Sequence, residues 1–413
     1  MTHALEIIKQ SELEIEPLVK QNKQIAYDNF KKVMQSFNDH SVMESDFTGT
    51  TGYGYDDTGR DKLEDIYRDI FKAEDALVRA QIISGTHAIS LSLLSLLERG
   101  DELLYITGWP YDTLEKVIGD SEEDVGSMKA LGIDFNYVDL IDDKAFDVDA
   151  ILNNIKDNTK VIGIQRSRGY STRKSLTIEQ IEAVIKRIKE RHPNIIVFVD
   201  NCYGEFVERR EPIEVGADIA AGSLIKNPGG GLAKMGGYVV GRKDLIERVS
   251  YRLTVPGIGK EMGASLEVLL DMYQGLFMAP HAVIESLNGA LLTSHVLTKL
   301  GYRTDPLFDE TRTDLIQSIQ FNTEEEMISF IQMVQSASPV NSKFLPIPDL
   351  IPGYQHPVIM AAGTFIQGAS LELSADGPVR EPYIAFMQGG LVYEHVKYAL
   401  EKVLTHWSEK GII

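Results

Sequence analysis

Between Lys62 and Arg242 the chain alternates short apolar runs with stretches in which apolar residues recur every three or four positions. The runs predict strands at 77–83, 102–107, 134–140, 159–166, 195–200, 219–225 and 237–241. The periodic stretches predict helices at 62–72, 87–98, 111–118, 124–131, 148–156 and 177–191. Such alternation is the signature of βαβ crossovers, and hence of a mainly parallel sheet covered on both faces. Ile195–Val199 is apolar without a polar break and reads as a central strand. Upstream, Leu5, Ile8, Leu18, Ile25, Val33 and Phe37 predict one or two amphipathic helices between Ala4 and about His40, followed by a Gly- and Tyr-rich loop over Thr48–Arg60. From Met262 a helical pattern runs to about Leu300, with Pro280 expected to interrupt it. A strand near Gln317–Phe321, a helix at 323–336, a Pro-rich loop at 345–357 and a final helix from about Pro382 to His406 complete the pattern.

These elements amount to an α/β chain in three parts: an N-terminal helical arm (1–50), a large domain with a mainly parallel seven-stranded sheet (51–261) and a smaller C-terminal α+β domain (262–413). A length of 413 residues, more than one core normally serves, agrees with the division. The formal charge of -20 argues against nucleic acid or an anionic membrane as partner, although a local cluster of donors can still hold a small anion. Cys202 is the only cysteine, which excludes an intramolecular disulfide and a zinc site built on several thiolates. No metal site is expected. The start, Met1–Glu6, lacks a basic segment leading into an apolar one, and nowhere do about 18 apolar residues run together. A cytoplasmic location is expected.

In open parallel sheets ligands bind where loops leave the carboxyl ends of strands. Three such places carry chemistry. Ser84-Gly85-Thr86-His87 passes from a strand into a helix, where backbone amides and hydroxyls suit a phosphate; a plain helix cap is the alternative. Asp200 ends the most apolar strand, either as a cap or as a charge facing a cationic ligand group. Lys226 follows the strand that ends at Ser223 and precedes Asn227-Pro-Gly-Gly-Gly231. A lysine there is a surface residue or an amine able to form a Schiff base, and the glycines let the backbone approach something closely.

Together, phosphate donors, an acid for a ring nitrogen and an amine for an aldehyde resemble the fold-type-I (aminotransferase-like) pyridoxal-phosphate enzymes, in their cystathionine/methionine γ-lyase branch. Over Tyr53–Gly241 and around Arg380 the sequence more closely resembles the methionine γ-lyase-like, or aluminium resistance, family. The resemblance implies pyridoxal 5'-phosphate held as a Schiff base on Lys226. It implies phosphate contacts from Ser84, Gly85, Thr86 and Ser223, a ring-nitrogen partner in Asp200 and a stacking ring in Tyr111, with Trp109 competing for the last role. It further implies that Tyr53, Tyr55 and Arg60 reach a neighbouring subunit's phosphate, that Arg380 clamps the substrate α-carboxylate, and that the protein is a homotetramer of dimers with shared sites. Two departures stand out: Ile225 replaces a hydroxyl residue beside the lysine, and Gln165–Arg173 is strongly basic. Arg166, Arg168 and Arg173 therefore become candidates for substrate or phosphate contact, or else rim charges.

The activity implied is carbon–sulfur bond cleavage, by β- or γ-elimination, in an amino acid such as cystathionine or methionine. The residues alone leave transamination, aldol cleavage and racemisation open. They also leave open a non-catalytic cofactor-binding protein and, from another class, a nucleotide-binding protein using the Ser84–Ala88 turn. Cys202 and His87 are read as structural.

Overall fold

The computed structural model describes residues 3–121, 123–350 and 356–413. Its larger sheet comprises β1 (Asp75–Arg79), β2 (Glu102–Tyr105), β3 (Asp134–Tyr137), β4 (Thr159–Gln165), β5 (Ile196–Asp200), β6 (Ile219–Ser223) and β7 (Gly237–Gly241). Their order is β1-β7-β6-β5-β4-β2-β3, and β7 alone runs against the others. Every residue of β5 and β6 is buried, as their apolar runs up to Asp200 and Ser223 lead one to expect. Because six strands share a direction, the segments after β1, β2, β4, β5 and β6 all emerge at one edge.

The flanking helices are α1 (His3–Asp39), α2 (Thr58–Phe71), α3 (Gly85–Leu96), α4 (Asp112–Ile118), α5 (Val148–Asn154), α6 (Ile178–Arg191) and α7 (Lys243–Leu253). One core holds Val33 of α1 together with Leu63, Ile66 and Phe71 of α2 and the apolar face of α6; another lies beneath α3 and α7. The C-terminal part contributes α8 (Leu269–Lys299), α9 (Glu324–Ala337), α10 (Tyr393–Lys410) and a five-stranded antiparallel sheet. Its strands are β8 (Arg303–Asp305), β9 (Gln317–Gln320), β10 (Val358–Ala361), β11 (Ser374–Pro378) and β12 (Ile384–Gln388). Ile8 and Ile15 of α1 join the core of this part, so the single long N-terminal helix packs on both cores.

Several expectations change. Pro280 does not interrupt α8, because the helix is buried along most of its length and packing offsets the lost backbone bond. Residues 124–131 form turns, since the Asp124 carboxylate accepts the amides of Asp120 (2.6 Å) and Ser121 (2.9 Å) and Gly126 takes a positive φ. Thr58–Arg60 are helical, started by Asp57, whose side chain accepts from the Arg60 amide. Within the expected last helix, residues 384–388 form β12, and α10 starts only at Tyr393, beyond Gly389 and Gly390. Helix α7 and strands β8, β10 and β11 were not anticipated. Of the Pro-rich loop at 345–357, residues 351–355 lie outside the described residues.

Candidate active site

Strand alternation directs the exit of β6. Ser223 and Leu224 are buried, and Lys226 stands half-buried with Nζ 4.2 Å from the centroid of the Tyr203 ring, which belongs to the segment leaving β5. Gly85, the first residue of α3, completes the meeting point. A Cβ there would lie 3.2 Å from Cys202 Sγ, 3.3 Å from Ser223 Cβ and 3.8 Å from Lys226 Nζ, so glycine keeps this corner open. The glycines after Lys226 serve another purpose. A Cβ on Gly230 would sit 2.1 Å from the Gly275 carbonyl oxygen, so the backbone that carries the lysine rests directly on α8.

Asp200 is buried and accepts the Cys202 amide at 3.1 Å. Burial pushes its carboxyl above the ordinary value, opposed by the Lys226 charge, the Cys202 contacts and the Arg173 charge. For Lys226, burial works against the charge, but the acidic groups Cys202, Tyr203, Asp200 and Tyr111 outweigh it and hold the pKa above the lysine norm. Burial also raises Cys202 and Tyr203. Tyr111 places its hydroxyl 3.2 Å from Thr86 Oγ1, and its amide donates to Gln165 Oε1. Burial first, then the Asp200 charge, raises its pKa. Trp109 points elsewhere: its Nε1 donates to Glu115 at 2.6 Å and its ring packs edge-on against Phe135 and Tyr137.

The set fits pyridoxal phosphate. Ser223 Oγ is buried without a hydrogen-bond partner, beside the start of α3 where Gly85 and Thr86 present backbone amides. Ser84 caps α3 by accepting the His87 amide at 3.0 Å, and His87 Nδ1 accepts the Ile83 amide, so both contribute to the shape of the turn. Ile225, the departure beside the lysine, packs below the segment at Gly368, where a Cβ would meet Ile225 Cδ1 at 3.7 Å.

Other expected residues are placed differently. Arg166 is fully buried and donates to Asn201, Gly204, Glu208 and Thr313, making it a structural strut rather than a substrate contact. Arg168 is buried against Asp305 at 2.5 Å, within Coulombic range of Arg173. Arg173 donates to the carbonyls of Lys174, Gln165 and Ser167, and burial lowers its pKa to about 10; it touches the pocket only through its charge on Asp200. None of the three is a rim charge. Arg60 is likewise enclosed, bonded to the carbonyls of Gly54 and Gly263 and paired with Asp61, so its guanidinium secures its own loop instead of reaching outward. Tyr53 and Tyr55 are exposed, their ring centroids 5.7 Å apart. Arg380 is exposed in the turn between β11 and β12, and no described contact ties it to Lys226, Asp200 or Tyr111.

Residues not anticipated as site members also converge here. Tyr203 underlies Lys226, Gln165 holds Tyr111, and Ser370 lies beside the Tyr203 phenol. Tyr203 adopts φ 70°, a conformation its sequence neighbours do not announce. Its only sequence signal is its place three residues after Asp200, on the segment leaving β5.

A family description, methionine gamma-lyase, matches residues 4–408. An uncharacterized protein of Bacillus subtilis is 55% identical over all of this chain and 99% of its own length. A solved structure from Listeria innocua, named as a candidate cystathionine beta-lyase involved in aluminum resistance, is 56% identical with a TM-score of 0.96, covering 98% of this chain and 99% of that one. A carbon-sulfur lyase involved in aluminum resistance from Clostridium novyi is 44% identical with a TM-score of 0.93, covering 98% and 95%. A pyridoxal-5'-phosphate-dependent protein of Escherichia coli, 18% identical with a TM-score of 0.61 over 94% of this chain and 97% of its own, shares the fold.

Proposed function

The chain belongs to the methionine gamma-lyase family, and on that premise we propose that it is a pyridoxal-phosphate-dependent carbon–sulfur lyase acting on a sulfur-containing amino acid by β- or γ-elimination. One observation carries the reading: the Lys226 amine lies between the Tyr203 ring and the open corner at Gly85, next to the unsatisfied Ser223 hydroxyl. Likeness to relatives named for carbon–sulfur and cystathionine lyase activity supports the choice of reaction, and a role in aluminium resistance belongs to the same proposal.

When bound, the cofactor supplies an electron sink that weakens bonds at the substrate Cα. The chain's residues do the rest. Gly85 and Thr86 amides with the Ser223 hydroxyl would hold the phosphate, Asp200 would keep a proton on the ring nitrogen, and Tyr111 would serve the ring. Lys226 Nζ would anchor the aldehyde and, once released as a free amine, would take the Cα proton. Asp200 and Cys202 form a buried wall on one side of that amine. Assignment of the substrate carboxylate to Arg380 rests on family likeness alone. A homotetramer of dimers is part of the proposal, the exposed Tyr53 and Tyr55 offering surface to a second chain. Among the described residues no helix is long and apolar enough to cross a membrane, and a cytoplasmic location is proposed with the rest.

The test is direct. Purified protein should show the visible band of bound pyridoxal phosphate, and borohydride should fix the cofactor on the peptide containing Lys226. Cystathionine, cysteine, methionine and homocysteine are then assayed for release of thiol and 2-oxo acid. Cofactor fixed on Lys226 with no thiol from any of them sinks the lyase reading.

A further inference from the structure

The C-terminal sheet has two faces of opposite character. Leu373, Ala375, Ala385, Met387 and Ile319 enter the core against α9 and α10. Strand alternation turns Ser374, Asp376, Phe386 and Ser318 to the other face, and the register sets Asp376, Phe386 and Ser318 side by side across three strands. A polar sheet face is ordinarily satisfied by water. This one is closed: Ser374 and Asp376 are each 5% exposed. The 165–173 loop closes it, with the Tyr170 ring centroid 5.4 Å from that of Phe386 and the Tyr170 side chain hydrogen-bonded to Asp376.

Part of that closed face lacks partners. Asp376 Oδ1 and Ser374 Oγ are buried without a hydrogen-bond partner, and Ser370 Oγ meets only the Tyr203 phenol. Ser370 lies beside the Tyr203 phenol, Asp376 acts on the same phenol through its charge, and Tyr203 in turn underlies Lys226 Nζ. No ion pair among the described residues includes Asp376; burial pushes its carboxyl up to about 7, with only Tyr170 opposing. A buried carboxyl with a bare oxygen and no cation is costly, and Asp376 Oδ1, in a wall joined to the Lys226 site through Tyr203, calls for a donor from outside the chain.

We infer that Asp376, with Ser370 and Ser374, recognises the side chain of the amino-acid substrate by accepting hydrogen bonds from an ammonium at its far end. The inference rests on the reading of Lys226 as a cofactor anchor and deepens it. Among sulfur amino acids, a thioether bearing a second amino group satisfies this wall, whereas a terminal methyl leaves Asp376 Oδ1 bare.

L-Lysine and L-norleucine separate the possibilities, since their side chains differ by the terminal ammonium and neither carries a leaving group. Titrated into the cofactor-loaded protein and read by the shift of the visible band, lysine should bind roughly tenfold tighter or more, the order expected for a hydrogen bond to a charged group. Asp376→Asn should abolish that preference and leave norleucine binding within about twofold. Equal binding of the two by the unmodified protein, or a parallel loss of both in the variant, overturns the inference. The unmodified comparison needs no variant and stands even if Asp376→Asn does not fold. Norleucine shifting the band without a lysine preference defeats this inference alone; failure of borohydride to fix cofactor on Lys226 defeats the functional reading beneath it.

Discussion

The Lys226 pocket and the 165–173 loop start at the carboxyl ends of two strands of one sheet, β6 and β4, and both take strongly polar side chains out of water. They use burial oppositely. Arg166 spends its guanidinium on Asn201, Gly204, Glu208 and Thr313, and Arg173 on three backbone carbonyls. Ser223 Oγ meets nothing, and Lys226 Nζ rests over a ring. Burial with every hydrogen bond made is architecture, whereas burial with bonds left over marks a place built for a ligand.

Four measurements bear on that contrast. The largest effect is expected of Lys226→Ala, which should abolish covalent capture of the cofactor by borohydride while the protein stays folded by circular dichroism. Capture at another lysine would break the contrast outright. Arg166→Met removes a fully satisfied strut and strands Glu208 and Glu211, at a cost of about 3–5 kcal/mol in urea denaturation. Cofactor absorption per folded molecule should persist; its loss would move Arg166 into the pocket.

Glu205 is an intermediate case, with Oε1 accepting from Tyr238 at 2.7 Å and Oε2 bare. Burial raises it from 4.5 to about 8, so the native state keeps a proton that the unfolded chain releases. Its contribution to stability is complete below about 4.5 and is lost as pH rises through about 8. Glu205→Gln should flatten the fall of the urea midpoint over that window, and an unchanged slope would show that Glu205 is ionised in the fold. The smallest effect sharpens the contrast most. Ser223→Ala should leave stability within about 0.5 kcal/mol, because no bond is lost, yet weaken pyridoxal phosphate by roughly five- to tenfold in equilibrium dialysis. A large stability loss would mean that the hydroxyl has a structural partner.

Much of this was legible in the chain. Periodicity located the seven strands of the large sheet, with ends off by a few residues, because a strand buried on both faces has to be apolar throughout. It failed where a local competitor or a distant contact intervened: the Asp124 turn broke an apparent helix, and packing carried α8 through Pro280. The strand-end residues Gly85, Asp200, Ser223 and Lys226 were found because strand direction alone brings them to one edge. Tyr203, Ser370 and Tyr170 were not, since their roles depend on a left-handed backbone turn and on a second sheet folding back over the first.

The sequence by itself therefore determined the scaffold and the set of groups at its edge, both of which follow from short-range period and chain direction. It could not tell the arginines of 166–173 from pocket residues, because the partners that hold Arg166 and Arg168, such as Thr313 and Asp305, are remote in sequence. Nor could it show that Asp376 keeps an oxygen unpaired beneath Tyr170. Which buried polar atoms find a partner is settled only when distant segments meet, and in this protein that accounting sets the Arg166 strut apart from Ser223.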